Sequence, residues 1–516
     1  MTATPPADWR PMATSLGLEP LGPVPSELPD AWLLRLEQMA GWLGAAAEDA
    51  SYRGVLGEDG VPEGVFRAIA RAWLFTDDLE GALQARLAHE AGPRRRWLEL
   101  LHRRGVRARI EGDAEVARLT ASLERATWRF LATAPPELPA TDQDRLRALA
   151  LRTVPLAQAN RATMVSLFKR RNELARAEGH ASYFELAMDL HEAPWTWLEP
   201  HLVRLKAATD GPACRALAWL ATREGRPITT HWELRAAERA HTLIPAERLV
   251  APDLAVLRAL DAALGLPALG LPHSLVIRPF GVGGLCSVVD GHTDVRIALD
   301  ATRPRHTQLG ILLHEYGHAL HQAVGARTGQ PYHLWAATHG EPVPACEAMA
   351  TILEAVKLEP AWLATVTDGT PAEVAAWAEA GRLVELLAVR YHLMVAAFDR
   401  EAYRDPDQDL DAAFARVQRD HLGLQPTPEA ACLWAANPMA ISSPCYQIGY
   451  VLANMAAYQL REALGGALWG NPGVGPFLAA HFWKPAASVP WLERIKQATG
   501  RSLDAEAVLR ALVATP

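Results

Sequence analysis

The sequence predicts a mostly α-helical protein with one small antiparallel β-sheet packed beside an apolar helix that carries paired histidines. Three observations support this. From Asp30 to about Pro267, Ala, Leu, Arg and Glu recur at helical spacing, with Pro or Gly at the breaks. A short block rich in β-branched residues follows, between Ser274 and Leu299. Helical spacing then returns through His314 and His318 and continues to the end of the chain.

Each element has a local reason. Residues 1–30 are Pro-rich and are expected as an extended segment over the surface. Residues 31–516 form a single body, since no repeat or low-complexity linker interrupts them. Within it, 31–270 is a mainly helical lobe, with turns at Glu90–Pro93 and Thr133–Glu137. Residues 271–300 hold the sheet. Its strands are Ser274–Pro279, Leu285–Val289 and Asp294–Leu299, joined through Gly281–Gly284 and Asp290–His292, which suits an antiparallel arrangement with tight turns. Residues 301–516 are helices again, one of them starting at Pro344, because Pro suits a first helical turn.

Composition narrows the function. Half of the 516 residues are hydrophobic, enough for a large core. The net charge is -8, with no basic stripe of the kind nucleic acid requires. The five cysteines are scattered and form no Cys-x-x-Cys pair, so neither a disulfide framework nor a thiolate zinc site is expected. The N-terminus lacks the pattern of a signal peptide, and no apolar run is long enough to span a membrane. The expected location is the cytoplasm.

The chemistry concentrates at His314-Glu315-Tyr316-Gly317-His318. On a helix, residues four apart share a face, so His314 and His318 can offer two imidazole nitrogens to one Zn²⁺. Glu315 beside them is the general base toward an attacking water. These ionisable groups sit in an otherwise apolar run, where His and Glu are costly unless paired or metal-bound. A catalytic zinc takes three protein ligands. Glu347 is the expected third, because Ala345, Ala348 and Ala350 around it let its helix approach closely. Glu341 is the alternative ligand. Glu354, two turns beyond Glu347, is a second-shell residue placed to accept a hydrogen bond from a ligand histidine. The strand edge near Gly283, Gly284 and Ser287 is expected to hold a substrate backbone by main-chain pairing.

These residues resemble the helical zinc oligopeptidases, the thimet oligopeptidase and oligopeptidase F family, with angiotensin-converting enzyme as a more distant relative. The resemblance rests on the His314–His321 helix, the Glu347 and Glu354 pair, and the run from Asp294 to Glu315. Lys169 to Leu186, Tyr403 to Leu410 and Pro444 to Tyr450 add to it. It covers most of the chain from about residue 160 onward. It implies two helical lobes around a deep central channel with zinc at its floor. It also implies that Tyr450 donates to the developing oxyanion. Tyr446, four residues earlier, shares that helical face. The chain departs from the family pattern in two places. No histidine stands about ten residues before Tyr450, where Asn437–Ser442 lies, and the Pro-Ser-Gln that often follows the ligand glutamate is missing. The expected activity is zinc-dependent hydrolysis of short peptides. The alternatives are a carboxypeptidase or dipeptidyl carboxypeptidase, which needs a cationic clamp for a terminal carboxylate, and a catalytically weak zinc-containing peptide-binding protein.

Overall fold

The computed structural model describes residue 14 and residues 19–58, 60–61, 63–133, 143–240, 244–267, 273–280, 283–289, 294–326 and 341–513. Most of the 1–30 segment, most of the turn expected at 133–137 and the Asp290–His292 turn lie outside them.

Among the described residues ten α-helices precede the sheet: α1 Asp30–Val55, α2 Glu63–Leu74, α3 Asp77–Leu87, α4 Gly92–Gly112, α5 Ala114–Thr133, α6 Gln143–Ala177, α7 Tyr183–Leu190, α8 Trp195–Glu224, α9 His231–Ala240 and α10 Leu254–Leu264. Their ends follow local chemistry. Thr76 caps α3 by accepting from Leu79 N–H, and Asp253 caps α10 through Ala255 and Val256 N–H. The turn at Glu90–Pro93 separates α3 from α4 as expected, with Pro93 in the first turn of α4.

Two apolar cores result. The smaller joins α1, α2 and α3 to the first half of α4 through Leu36, Ile69, Leu79, Trp97 and Leu98. The larger begins at Val106 and Ile110 in the second half of α4 and runs to Leu512. Helix α4 therefore belongs to both cores and ties them together.

The sheet has β1 His273–Arg278, β2 Gly284–Val288 and β3 Val295–Asp300 in the order β1-β3-β2. Strand β2 pairs antiparallel with β3 as expected, but β1 pairs parallel with β3, from His273 opposite Val295 to Arg278 opposite Asp300. The all-antiparallel expectation is thus corrected to a mixed sheet. The reason is burial. Five of the six β3 residues are buried, and a strand covered on both faces takes the centre.

Ten α-helices follow among the described residues: α11 Arg305–Ala326, α12 Val343–Glu354, α13 Pro360–Val366, α14 Pro371–Arg404, α15 Leu410–Leu422, α16 Pro438–Ser442, α17 Gln447–Ala463, α18 Val474–Leu478, α19 Trp491–Thr499 and α20 Glu506–Val513. Helix α11 packs on the sheet at one side and on α12 at the other. The second approach is very close. A Cβ on Gly317 would lie 2.6 Å from Ala350 Cα and against the Met349 carbonyl oxygen. Only glycine fits there.

Candidate metal centre

Helix α11 buries Leu309, Leu312, Leu313, Tyr316, Ala319 and Leu320. This fixes its rotation and leaves His314 and His318 on the less buried face, with ring centroids 4.9 Å apart. Helix α12 brings Glu347 opposite them. Its Oε2 lies 3.3 Å from His314 Nε2 and 3.7 Å from His318 Nε2. One donor atom from each of the three residues falls within 4.8 Å of the others. Glu347 Oε2 is buried and has no hydrogen-bond partner. A buried carboxylate oxygen aimed between two imidazoles suits a divalent cation. Two nitrogens and one oxygen form a donor set that zinc accepts, with one coordination position left for the reaction.

The surrounding charges hold this set in place. Glu354 Oε2 accepts from His314 Nδ1 at 2.9 Å, which turns Nε2 toward Glu347. Lys357 Nζ binds the other Glu354 oxygen at 2.5 Å and Glu385 at 3.3 Å. Burial works to raise the Glu354 pKa, but Lys357 and His314 outweigh it and hold the carboxyl below its usual range. Glu341, the alternative ligand, does not reach the site. It pairs with Arg494 at 2.6 Å and lies 3.3 Å from His321 Nε2, all three nearly inaccessible. The sequence could not separate Glu341 from Glu347, because the partner that claims Glu341 lies 153 residues away.

Glu315 is buried, and burial pushes its carboxyl up to about 7. It accepts a hydrogen bond from the Cys286 backbone N–H on β2. The ladder explains this contact. Asp300 N–H donates to Gly283 O at 3.1 Å and Val289 N–H donates to Asp294 O at 2.9 Å. Antiparallel bonding alternates, so the main chains of residues 283, 285, 287 and 289 face β3 and those of Gly284, Cys286 and Val288 face the open edge. Gly284 lies against α11, where a Cβ would come 2.9 Å from Glu315 Oε1. Two substrate-contact expectations are corrected by this register. The main chains of Gly283 and Ser287 turn toward β3, and the Ser287 side chain is fully buried on the face opposite α11. Cys286 is the edge residue that sequence reasoning missed, since a strand's phase cannot be read without its partner.

Tyr446 and Tyr450 meet at the start of α17, with ring centroids 5.4 Å apart. The Tyr446 hydroxyl donates to Glu347 Oε1, the oxygen that does not point at the imidazoles. The Tyr450 ring stacks on His392 of α14 at 4.9 Å. His392 Nδ1 in turn meets Gln447 Oε1. Sequence reasoning missed this imidazole, a single His in a long helix with no spacing signal. Asn437 does not stand in for the absent histidine, because its side chain caps α16 by accepting from Met439 N–H at 3.1 Å.

No protein-family model matches this sequence, and no curated protein does. Solved structures do. The M32 carboxypeptidase from Deinococcus radiodurans R1 is 16% identical, over 93% of this chain and 97% of that one, with a TM-score of 0.62. Metallocarboxypeptidase 1 of Trypanosoma cruzi is 14% identical over 93% and 98%, TM-score 0.63. A protein described as an oligoendopeptidase F from Bacillus anthracis is 13% identical over 94% and 84%, TM-score 0.56. The chain thus has the fold of the helical metallopeptidases.

Proposed function

We propose that this protein is a zinc-dependent peptidase that hydrolyses peptide bonds in short oligopeptides. The observation that carries the reading is the convergence of the His314–His318–Glu347 donor set with Glu315 at the open edge of β2. Zn²⁺ held by those three residues would supply Lewis acidity and bring the pKa of a bound water toward about 7.

The chain's own groups do the rest. Gly284 and Val288, with the Cys286 carbonyl, offer main-chain groups to an extended peptide, which lays its backbone along α11. Glu315 takes the proton of the attacking water and returns it to the leaving amine. Tyr450 donates to the oxygen on which charge develops, while the Tyr446 hydroxyl beside it holds Glu347 Oε1. Five free cysteines, with Cys432 and Cys445 buried, suit a reducing cytoplasm. Among the described residues no helix is long and apolar enough to cross a membrane.

Replacing Glu315 by Gln tests the mechanism. The variant is expected to keep one zinc per chain by elemental analysis and to lose cleavage of a mixed peptide library by about 10²- to 10⁴-fold. Cleavage at the wild-type rate would remove Glu315 from the reaction.

A further inference from the structure

Tyr450 is held differently from Tyr446. The Tyr446 hydroxyl is anchored on Glu347. Among the described residues the Tyr450 hydroxyl has no hydrogen-bond partner, and Asn454 Nδ2 donates at 2.9 Å to the Tyr450 backbone oxygen, not to the phenol. What the ring touches therefore sets the direction of that hydroxyl. Its ring neighbours are Tyr446, tilted by 60° with centroids 5.4 Å apart, and His392, stacked at 24° and 4.9 Å. The imidazole is the closer and flatter contact. Burial first, then the Glu347, Glu315 and Glu354 carboxylates, push the Tyr450 phenol well above its usual range, so its polar end stands in the field of the metal centre.

The imidazole is itself fixed. His392 Nδ1 meets Gln447 Oε1, while Gln447 Nε2 donates to Met439 Sδ at 2.9 Å, which turns the amide oxygen toward the ring. An amide oxygen takes a donor, so Nδ1 carries the hydrogen. Burial, then Arg235, lower the His392 pKa to about 4, which leaves the ring neutral at pH 7. Gln447 is buried and stands three residues before Tyr450, on the same face of α17. Tyr391, the chain neighbour of His392, meets the imidazole edge-on at 5.6 Å. One imidazole from α14 thus binds α17 at Gln447 and covers the ring at Tyr450.

We infer that His392 is a positioning residue: clamped by Gln447, it stacks on Tyr450 and aims the phenol at the oxygen on which charge develops. The task given to the phenol rests on the peptidase reading. The clamp rests on the ring and amide contacts. A stacked aromatic pair biases an orientation by up to about tenfold.

The test has two arms, both on the full-length protein. In the first, the chain is labelled with fluorotyrosine, and the Tyr450 resonance is picked out from the nine tyrosines by its loss in Tyr450→Phe. His392→Ala is expected to shift that fluorine resonance and to narrow it as the ring gains freedom. In the second, kcat and KM are measured on a peptide that the wild type cleaves. His392→Ala should lower kcat by about tenfold and leave KM within about twofold. Tyr450→Phe should lower kcat by about 10²- to 10³-fold. Adding His392→Ala to Tyr450→Phe should then cost less than about twofold more, because a residue that acts through Tyr450 has nothing left to aim. An equal loss in both backgrounds, an unchanged kcat in His392→Ala, or an unmoved Tyr450 resonance would each overturn the assignment. If His392→Ala fails to melt cooperatively, His392→Asn, which keeps a donor for Gln447 but no ring, decides by the same readings. If the wild type cleaves no peptide, the peptidase reading falls, and the fluorine spectrum still decides whether His392 orients the Tyr450 ring.

Discussion

Glu341 and Glu347 lie six residues apart and take different roles. Glu347 turns Oε2 between two imidazoles, while Glu341 forms a buried pair with Arg494. Their removal should therefore read differently. Glu347→Ala is expected to abolish stoichiometric zinc, measured by elemental analysis after dialysis. Glu341→Ala should retain it but destabilise the fold by about 3–5 kcal/mol in urea unfolding, because Arg494 is left buried and uncompensated. Zinc lost in Glu341→Ala and kept in Glu347→Ala would reverse the ligand assignment. The motif His314-Glu315-x-x-His318 was legible because its geometry is local to one helix turn. The roles of His392 and Cys286 were not, because each is defined by a neighbour on another element.

Helix α12 approaches α11 closely enough to deliver Glu347 only because Gly317 faces Ala350. The small residues around Glu347 in the sequence signalled a close crossing, and the structure contains one. Gly317→Ala is expected to force the helices apart, at a cost of about 1–3 kcal/mol, and to weaken zinc binding in a competition titration. Gly310 offers the contrast. A Cβ there meets side chains rather than backbone, the Lys357 Cδ at 3.1 Å and Glu354 Oε1 at an ordinary 3.8 Å. Gly310→Ala should leave zinc affinity within about twofold. Equal effects of the two changes would mean the crossing does not position Glu347. The strands were legible from their β-branched residues, but their pairing was not. Order β1-β3-β2 depends on which strand is buried along its length, and that is set by packing against α11, an element outside the strand block.

Across the whole molecule, burial sets how stability responds to pH. His231 is buried, and burial first, with Arg235 adding to it, depresses its pKa from 6.5 to about 4. The unfolded chain then takes up the proton before the folded one, so stability present above pH 6.5 falls as pH drops toward 4. The loss is about 3 kcal/mol from this group. Urea unfolding at pH 7, 5.5 and 4 should show a shallower decline in His231→Gln than in the wild type, and parallel declines would mean the imidazole is not held neutral. The same scale decides how the two apolar cores meet. Helix α4 spans both and joins them. From the chain alone came the helical class, the paired histidines on one helix face and the candidacy of Glu315 and Glu347, since spacing and local packing are written in neighbouring residues. Tertiary structure alone decided the parallel strand, the phase of β2 that turns the Cys286 N–H to Glu315, and the partner that withdraws Glu341. Each of those depends on contacts between residues distant in sequence, which no local pattern encodes.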